Sequence, residues 1–119
     1  MQTAALAYGQ MQQKTANPRD LEADLLMRAA SKLQAALDDW DNADLHDALR
    51  YNRRLWTILV TSATATESPL PLQLKNNIAN LGLFIFNRTV DTEAAPEPGK
   101  ISPLISINRE VAAGLRGQG

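Results

Sequence analysis

The residue best able to do acid–base chemistry in this sequence is His46, and it is the only histidine. A Ser–His hydrolase would use it as general base, with a carboxylate behind it and a serine on a strained elbow in front. His46 instead lies among Asp44, Leu45 and Asp47 near an expected helix start, with no serine elbow in the sequence. It reads as a solvated polar residue. Cysteine is absent, which excludes a thiolate nucleophile, a disulfide framework and Cys-ligated zinc. The candidate metal ligands are Asp38, Asp39, Asp41, Asp44 and Asp47. They lack the Asp-x-Asp-x-Asp-Gly order of a calcium loop and follow the helix-start rule, in which acids cap and complement an N-terminus. Gly82 stands alone, and the glycines at 114 and 117 have no lysine or strand–helix context to make a phosphate loop. The run Tyr51-Asn52-Arg53-Arg54-Leu55-Trp56 could in principle hold single-stranded RNA, with arginines on phosphates and rings on bases. Trp56, however, falls on an apolar helical stripe, with Arg53 and Arg54 elsewhere on the helix. No catalytic residue, cofactor site or metal site is therefore expected, and no enzyme activity or small-molecule substrate.

These residues need elements to position them. The chain has 119 residues, enough for one domain, and 45% are hydrophobic while only 5% are aromatic. A core must be built from Leu, Ile, Val and Ala. Six glycines and six prolines, mostly at junctions, tilt the class toward helices. The net charge of −1 lacks the basic excess of a dedicated nucleic-acid binder. Residues 1–8 carry no basic region and no long apolar stretch, so no secretory signal is read. Nothing approaches the roughly 18 consecutive apolar residues of a membrane span. A cytoplasmic location and no membrane partner are expected.

The periodicity predicts an all-α fold, a small single-domain bundle of about five helices. A short helix is expected over residues 3–14, weakened by Gly9. A second spans 18–38, with Asn17 as N-cap, Pro18 at the first helical position and Leu21, Leu25, Ala29, Leu33 and Leu37 at helical spacing. A third spans 43–62, with Leu45, Ala48, Leu49, Asn52, Trp56, Leu59 and Val60 on one stripe. Residues 61–68 read as a Ser/Thr/Ala loop. A fourth helix spans 72–90, with Leu74, Ile78, Leu81 and Ile85 widened by Leu83, Phe84 and Phe86; so much apolar circumference suits a central helix or one that offers surface to a partner. Residues 91–100 read as a linker because of Pro96 and Pro98. The last helix, 103–115, is expected to be capped by Ser102, with Leu104, Ile107, Val111 and Leu115 on its stripe.

Four blocks of this sequence resemble the FlaF family of flagellar biosynthesis regulators. They are Ala7-Tyr8 followed by Asn17-Pro18-Arg19-Asp20-Leu21-Glu22; Asn52-Arg53-Arg54-Leu55-Trp56; Leu70-Pro71 through Asn77-Ile78 and Asn80-Leu81-Gly82-Leu83-Phe84; and Leu104-Ile105-Ser106-Ile107-Asn108-Arg109 ending in Gly114-Leu115. They fall in order over roughly residues 8–115. The segment 91–100 departs from the family pattern in being longer and richer in proline. The resemblance implies a cytoplasmic bacterial protein needed for filament assembly. It would act as a regulator of flagellin production and as a secretion chaperone that binds flagellin before export, beside a second regulator, FlbT, which acts on flagellin messenger RNA. It brings no catalytic residues.

Flagellin as partner suggests helix-in-groove recognition, in which a partner helix lays its apolar face into a hydrophobic groove. The candidate contacts are Leu83, Phe84, Phe86 and Ile105, with Arg53, Arg54 and Arg109 at a polar rim. Asn52 and Asn108 each precede an arginine on a helix. Asparagine is a poor helix former, so each is expected to make a specific hydrogen bond, clamping a neighbouring element or reaching a partner backbone. The alternative is an RNA-associated post-transcriptional regulator of flagellin expression, acting directly or with FlbT. Basic residues gathered on one face would favour it; an open apolar groove between the last two helices would favour the chaperone.

Overall fold

The computed structural model describes residues 18–117. Within them the chain forms four helices and no strand: α1 (Pro18–Asp38), α2 (Leu45–Thr64), α3 (Leu72–Ala94) and α4 (Pro98–Leu115). The helix expected over residues 3–14, and the Asn17 cap, lie outside the described residues.

Each helix follows from its residues. α1 has Pro18 at its first position and Asp20 in its first turn, and buries Leu21, Leu26, Leu33 and the small residues Ala23, Ala29, Ala30 and Ala36. α2 is capped by Asp44, whose Oδ1 accepts from the Asp47 backbone N–H at 3.0 Å; such a cap contributes about 1 kcal/mol. Two of the other acids are also occupied locally. Asp39 accepts from Asn42 Nδ2 at 3.1 Å, and Asp47 faces Lys32 at 3.8 Å.

Two boundaries differ from the sequence expectation for one reason. α2 runs through Thr64 rather than stopping at 62, and α3 runs through Ala94 rather than stopping at 90. The hydroxyls of Thr57, Thr61 and Thr64 donate to the carbonyls four residues earlier at 2.7–2.9 Å. Thr89 and Thr92 do the same at 2.6 Å in α3. Their hydroxyls are satisfied inside the helix, so they do not end it.

The expected linker 91–100 is the larger correction: only residues 95–97 separate α3 from α4. α4 begins at Pro98, a proper first position, and continues through Pro103, so Ser102 is an exposed helical residue and caps nothing. Lys100 fixes this corner. Its Nζ donates to the Ala95 carbonyl at 2.8 Å and meets Asp91 at 3.1 Å and Glu97 at 3.4 Å. Ile101, fully buried one residue later, anchors the turn to the core.

Successive helices run antiparallel. His46 at the start of α2 meets Glu93 at the end of α3. Lys75 at the start of α3 reaches the Ala65 carbonyl after the end of α2. Arg116 after α4 pairs with Asp24 near the start of α1. Packing is uneven around the ring: α1 lies extensively on α4 and on α2, α2 on α3, and α3 touches α4 only lightly. The α2–α3 seam is close because α3 carries Gly82 there. A Cβ on Gly82 would stand 2.5 Å from Val60 Cγ2.

Candidate functional site

The light α3–α4 contact leaves a half-open cleft of about 390 Å³. Leu74, Ile78 and Leu81 line it from α3 and Val111 and Gly114 from α4, with Asn77, Asn80 and Glu110 adding polar groups. Its wall on α3 is a single stripe at the i, i+4, i+7 spacing. Ile78 and Val111 are buried at its floor, and Leu74 and Leu81 are half-buried on its side. Gly114 keeps it open, since nothing lies within 4 Å of where its Cβ would be. The cleft therefore presents apolar surface in a furrow along two helices, with amides and one carboxylate around it. Its depth and lining suit the apolar stripe of a helix.

None of the eight residues singled out from the sequence lines this cleft. Leu83 and Phe84 are exposed at 65% and 37%, elsewhere on α3, and Arg88 stacks over the Phe84 ring at 5.1 Å. Phe86 is half-buried against the core, and Ile105 is 3% exposed, a core residue in place of the expected contact. Arg53, Arg54 and Arg109 are exposed, the first two on α2 and the third on α4. What the sequence did supply is the apolar set itself: Leu74, Ile78, Leu81 and Val111 were legible as stripes. That the two stripes border a furrow could be hinted only by Gly114, the small residue on the α4 side.

Asn108 is fully buried and joins three helices. The Trp56 indole donates to its Oδ1 at 2.9 Å. Indole nitrogen can only donate, which turns the Asn108 Nδ2 toward the Asn52 Oδ1, at 2.7 Å, and the Leu26 carbonyl, at 3.5 Å. Asn52 is fixed in turn, and its own Nδ2 finds no acceptor among the described residues. The expected clamp by the two asparagines is thus an interior chain tying α4 to α2 and α1. The same bond occupies Trp56, which is fully buried and has no face open to a nucleic-acid base.

The basic side chains are divided among the helices. Lys32 of α1 lies 5.1 Å over the Tyr51 ring and beside Asp47. Lys75 and Arg88 of α3 are engaged with Ala65 and Phe84, and Arg116 after α4 with Asp24. Among the described residues no group of three or more His, Asp or Glu could hold a metal ion, and no helix is long and apolar enough to cross a membrane.

Among the described residues, four antiparallel helices around an apolar core, with a furrow where α3 and α4 part, define an all-α bundle with an unfilled helix–helix seam. The match to known families is equally definite. The family model described as flagellar protein FlaF matches residues 4–115, nearly the whole chain, and the protein belongs to that family. No curated protein and no solved structure is found to match it.

Proposed function

We propose that this protein acts by binding rather than by catalysis, sheltering the apolar stripe of a flagellin helix in the α3–α4 furrow before export from the cytoplasm. Membership of a flagellar family supports the setting. The furrow carries the rest: Leu74 and Leu81 stand half-exposed along it, over the buried Ile78 and Val111. A partner helix entering it would have its apolar stripe covered on two sides and its polar face left in water, which keeps an assembly-prone segment from pairing with its own kind. FlbT is placed beside this activity rather than in the furrow. The RNA-associated reading draws less support, because Trp56 is enclosed and the sequence carries no basic excess.

The test is to plug the furrow without harming the fold. Gly114→Leu adds a side chain into open space at a helical position and raises helix propensity by roughly 1 kcal/mol. The variant is expected to keep its circular dichroism spectrum and a melting temperature no lower than the parent's while losing flagellin binding in titration calorimetry. A folded Gly114→Leu protein with unchanged affinity rejects the furrow as the site. Binding by apolar contact should also vary weakly with salt, whereas a phosphate-driven complex loses affinity steeply.

A further inference from the structure

α3 carries a second apolar stripe, on its far side from the furrow. Leu72, Ala79, Leu83 and Val90 recur at i, i+7, i+11 and i+18, and so share one face of the helix. Leu72, Leu83 and Val90 are exposed at 72%, 65% and 63%. Leu72 and Leu83 each stand two residues from a furrow residue, about 200° around the helix. A row of large apolar side chains about 27 Å long differs from the single exposed leucines of an ordinary surface. The helix beside this row is basic. Val60 of α2 stands against Gly82 of α3. Arg53 lies seven residues before Val60, on the same flank of α2, and the two helices are antiparallel. Arg53 therefore comes level with the Val90 end of the row. Arg50 and Arg54 are one helical turn apart beside it, and all three arginines are exposed. Among the described residues none of the three side chains has an ion pair or a hydrogen bond. From residue 48 to residue 90 the sequence holds five arginines and lysines and a single acid, Glu67, although the whole chain has a net charge of −1.

We propose that the outer face of α2 and α3 binds an amphipathic helix of another protein, one whose apolar stripe is bordered by carboxylates. The leucine and valine row calls for apolar side chains at matching helical spacing. The arginines call for an anion, and a guanidinium fork holds a carboxylate or phosphate with two hydrogen bonds. RNA would place phosphates on the arginines and leave Leu72 and Leu83 in water. A second copy would cover the leucines with its own α3, which has no carboxylate from Leu72 to Val90. An acidic amphipathic helix meets both demands. This face and the furrow lie on opposite sides of α3, so both are open to occupation at once, and the inference stands apart from the flagellin reading.

The test titrates the full chain with two helix-stabilised synthetic peptides of about 20 residues, the length of the row. Both carry leucines at the spacing of Leu72, Ala79, Leu83 and Val90. One has glutamates along both edges of that stripe and the other has lysines, and circular dichroism verifies that each is helical. The glutamate peptide is expected to bind at least about tenfold more tightly than the lysine peptide, and Arg53→Glu with Arg54→Glu should reverse that preference. Leu83→Asn should weaken the glutamate peptide about tenfold with an unchanged circular dichroism spectrum, since its side chain is exposed. Gly114→Leu, which fills the furrow, should leave this affinity as it is. No binding to the folded parent overturns the proposal, as do equal affinities for the two peptides. Loss of binding through Gly114→Leu and not through Leu83→Asn would put the peptide in the furrow. Tighter binding of a uridine oligonucleotide, abolished by the arginine reversals, would give the face to RNA. A dimer in analytical ultracentrifugation that Leu83→Asn dissociates would give it to a second copy. Each of these three results also overturns the proposal. Flagellin binding is read at Gly114 and this binding at Leu83, so the failure of one leaves the other standing.

Discussion

Truncating the two buried asparagines should have unequal consequences, although both are fully buried and both lose the same atoms on replacement by alanine. Asn108→Ala strips the acceptor from the Trp56 indole and the donor from Asn52 Oδ1, leaving two interior polar groups unpaired. At about 1–3 kcal/mol for each such group, the cost is about 4 kcal/mol before the shared cavity term. Asn52→Ala removes one hydrogen bond, leaves Asn108 Nδ2 with the Leu26 carbonyl, and also removes an amide nitrogen that had no acceptor. Its polar cost is about 1 kcal/mol. The cavity terms are similar, so the difference of about 3 kcal/mol reports the network itself. Urea unfolding, followed by circular dichroism and tryptophan fluorescence, measures both variants and the double variant. Asn108→Ala should lower the midpoint far more than Asn52→Ala, and the double variant should be less destabilised than the sum. Equal losses, or a larger loss for Asn52→Ala, would refute the assignment of Asn108 as the junction.

Gly82→Ala should destabilise the bundle by about 1–2 kcal/mol despite alanine's better helix propensity, because the new methyl meets Val60 Cγ2 at 2.5 Å; Val60→Ala in the same chain should restore the melting temperature. Phe84→Asp should leave thermal unfolding within about 0.5 kcal/mol of the parent, since that ring is exposed, whereas Ile105→Asp should unfold the protein by placing a carboxylate in the core; circular dichroism separates them. Amide hydrogen exchange should be fastest in the first two turns of α3, which are largely exposed and lie at the lightly packed seam, and slowest in the middle of α1.

Most of the helical frame was legible because apolar period and caps agree. α1 was bounded at 18 and 38 since Pro18 opens it and no β-branched residue interrupts it. The misread boundaries share a chemistry that single residues do not announce. Threonines 61, 64, 89 and 92 look like breakers until their hydroxyls are seen bonded to the preceding turn. Pro96 and Pro98 look like a linker until Lys100 is seen joining Ala95, Asp91 and Glu97. The site was less legible. Exposed Leu83 and buried Ile105 are equally apolar in sequence, and only the packing of α3 against α2 and α4 decides which is covered. Asn52 and Asn108 were visible as anomalies in helices, but that they bond to each other across 56 positions is a tertiary fact.

The uneven ring gives the furrow its character. α1 buries eight residues and is held on both sides by α2 and α4, and the Trp56–Asn108–Asn52 chain ties α2 to α4 through the middle. α3 buries only Ile78, Gly82, Ile85, Thr89 and Thr92, so its inward face has little apolar volume to contribute. It is held closely to α2 at Gly82 and pinned to α4 at one end by the three-residue connection and Lys100. At the other end, from Leu74 to Leu81, its seam with α4 has a cleft in place of packing. A bundle closed at one end and open at the other needs no rearrangement of its core to admit a helix, because Leu74 and Leu81 already stand half-exposed over the buried Ile78 and Val111. The same division separates two kinds of substitution: changes at Asn108, Trp56 or Gly82 act on stability, and changes at Gly114 or Asn80 act on what lies in the furrow.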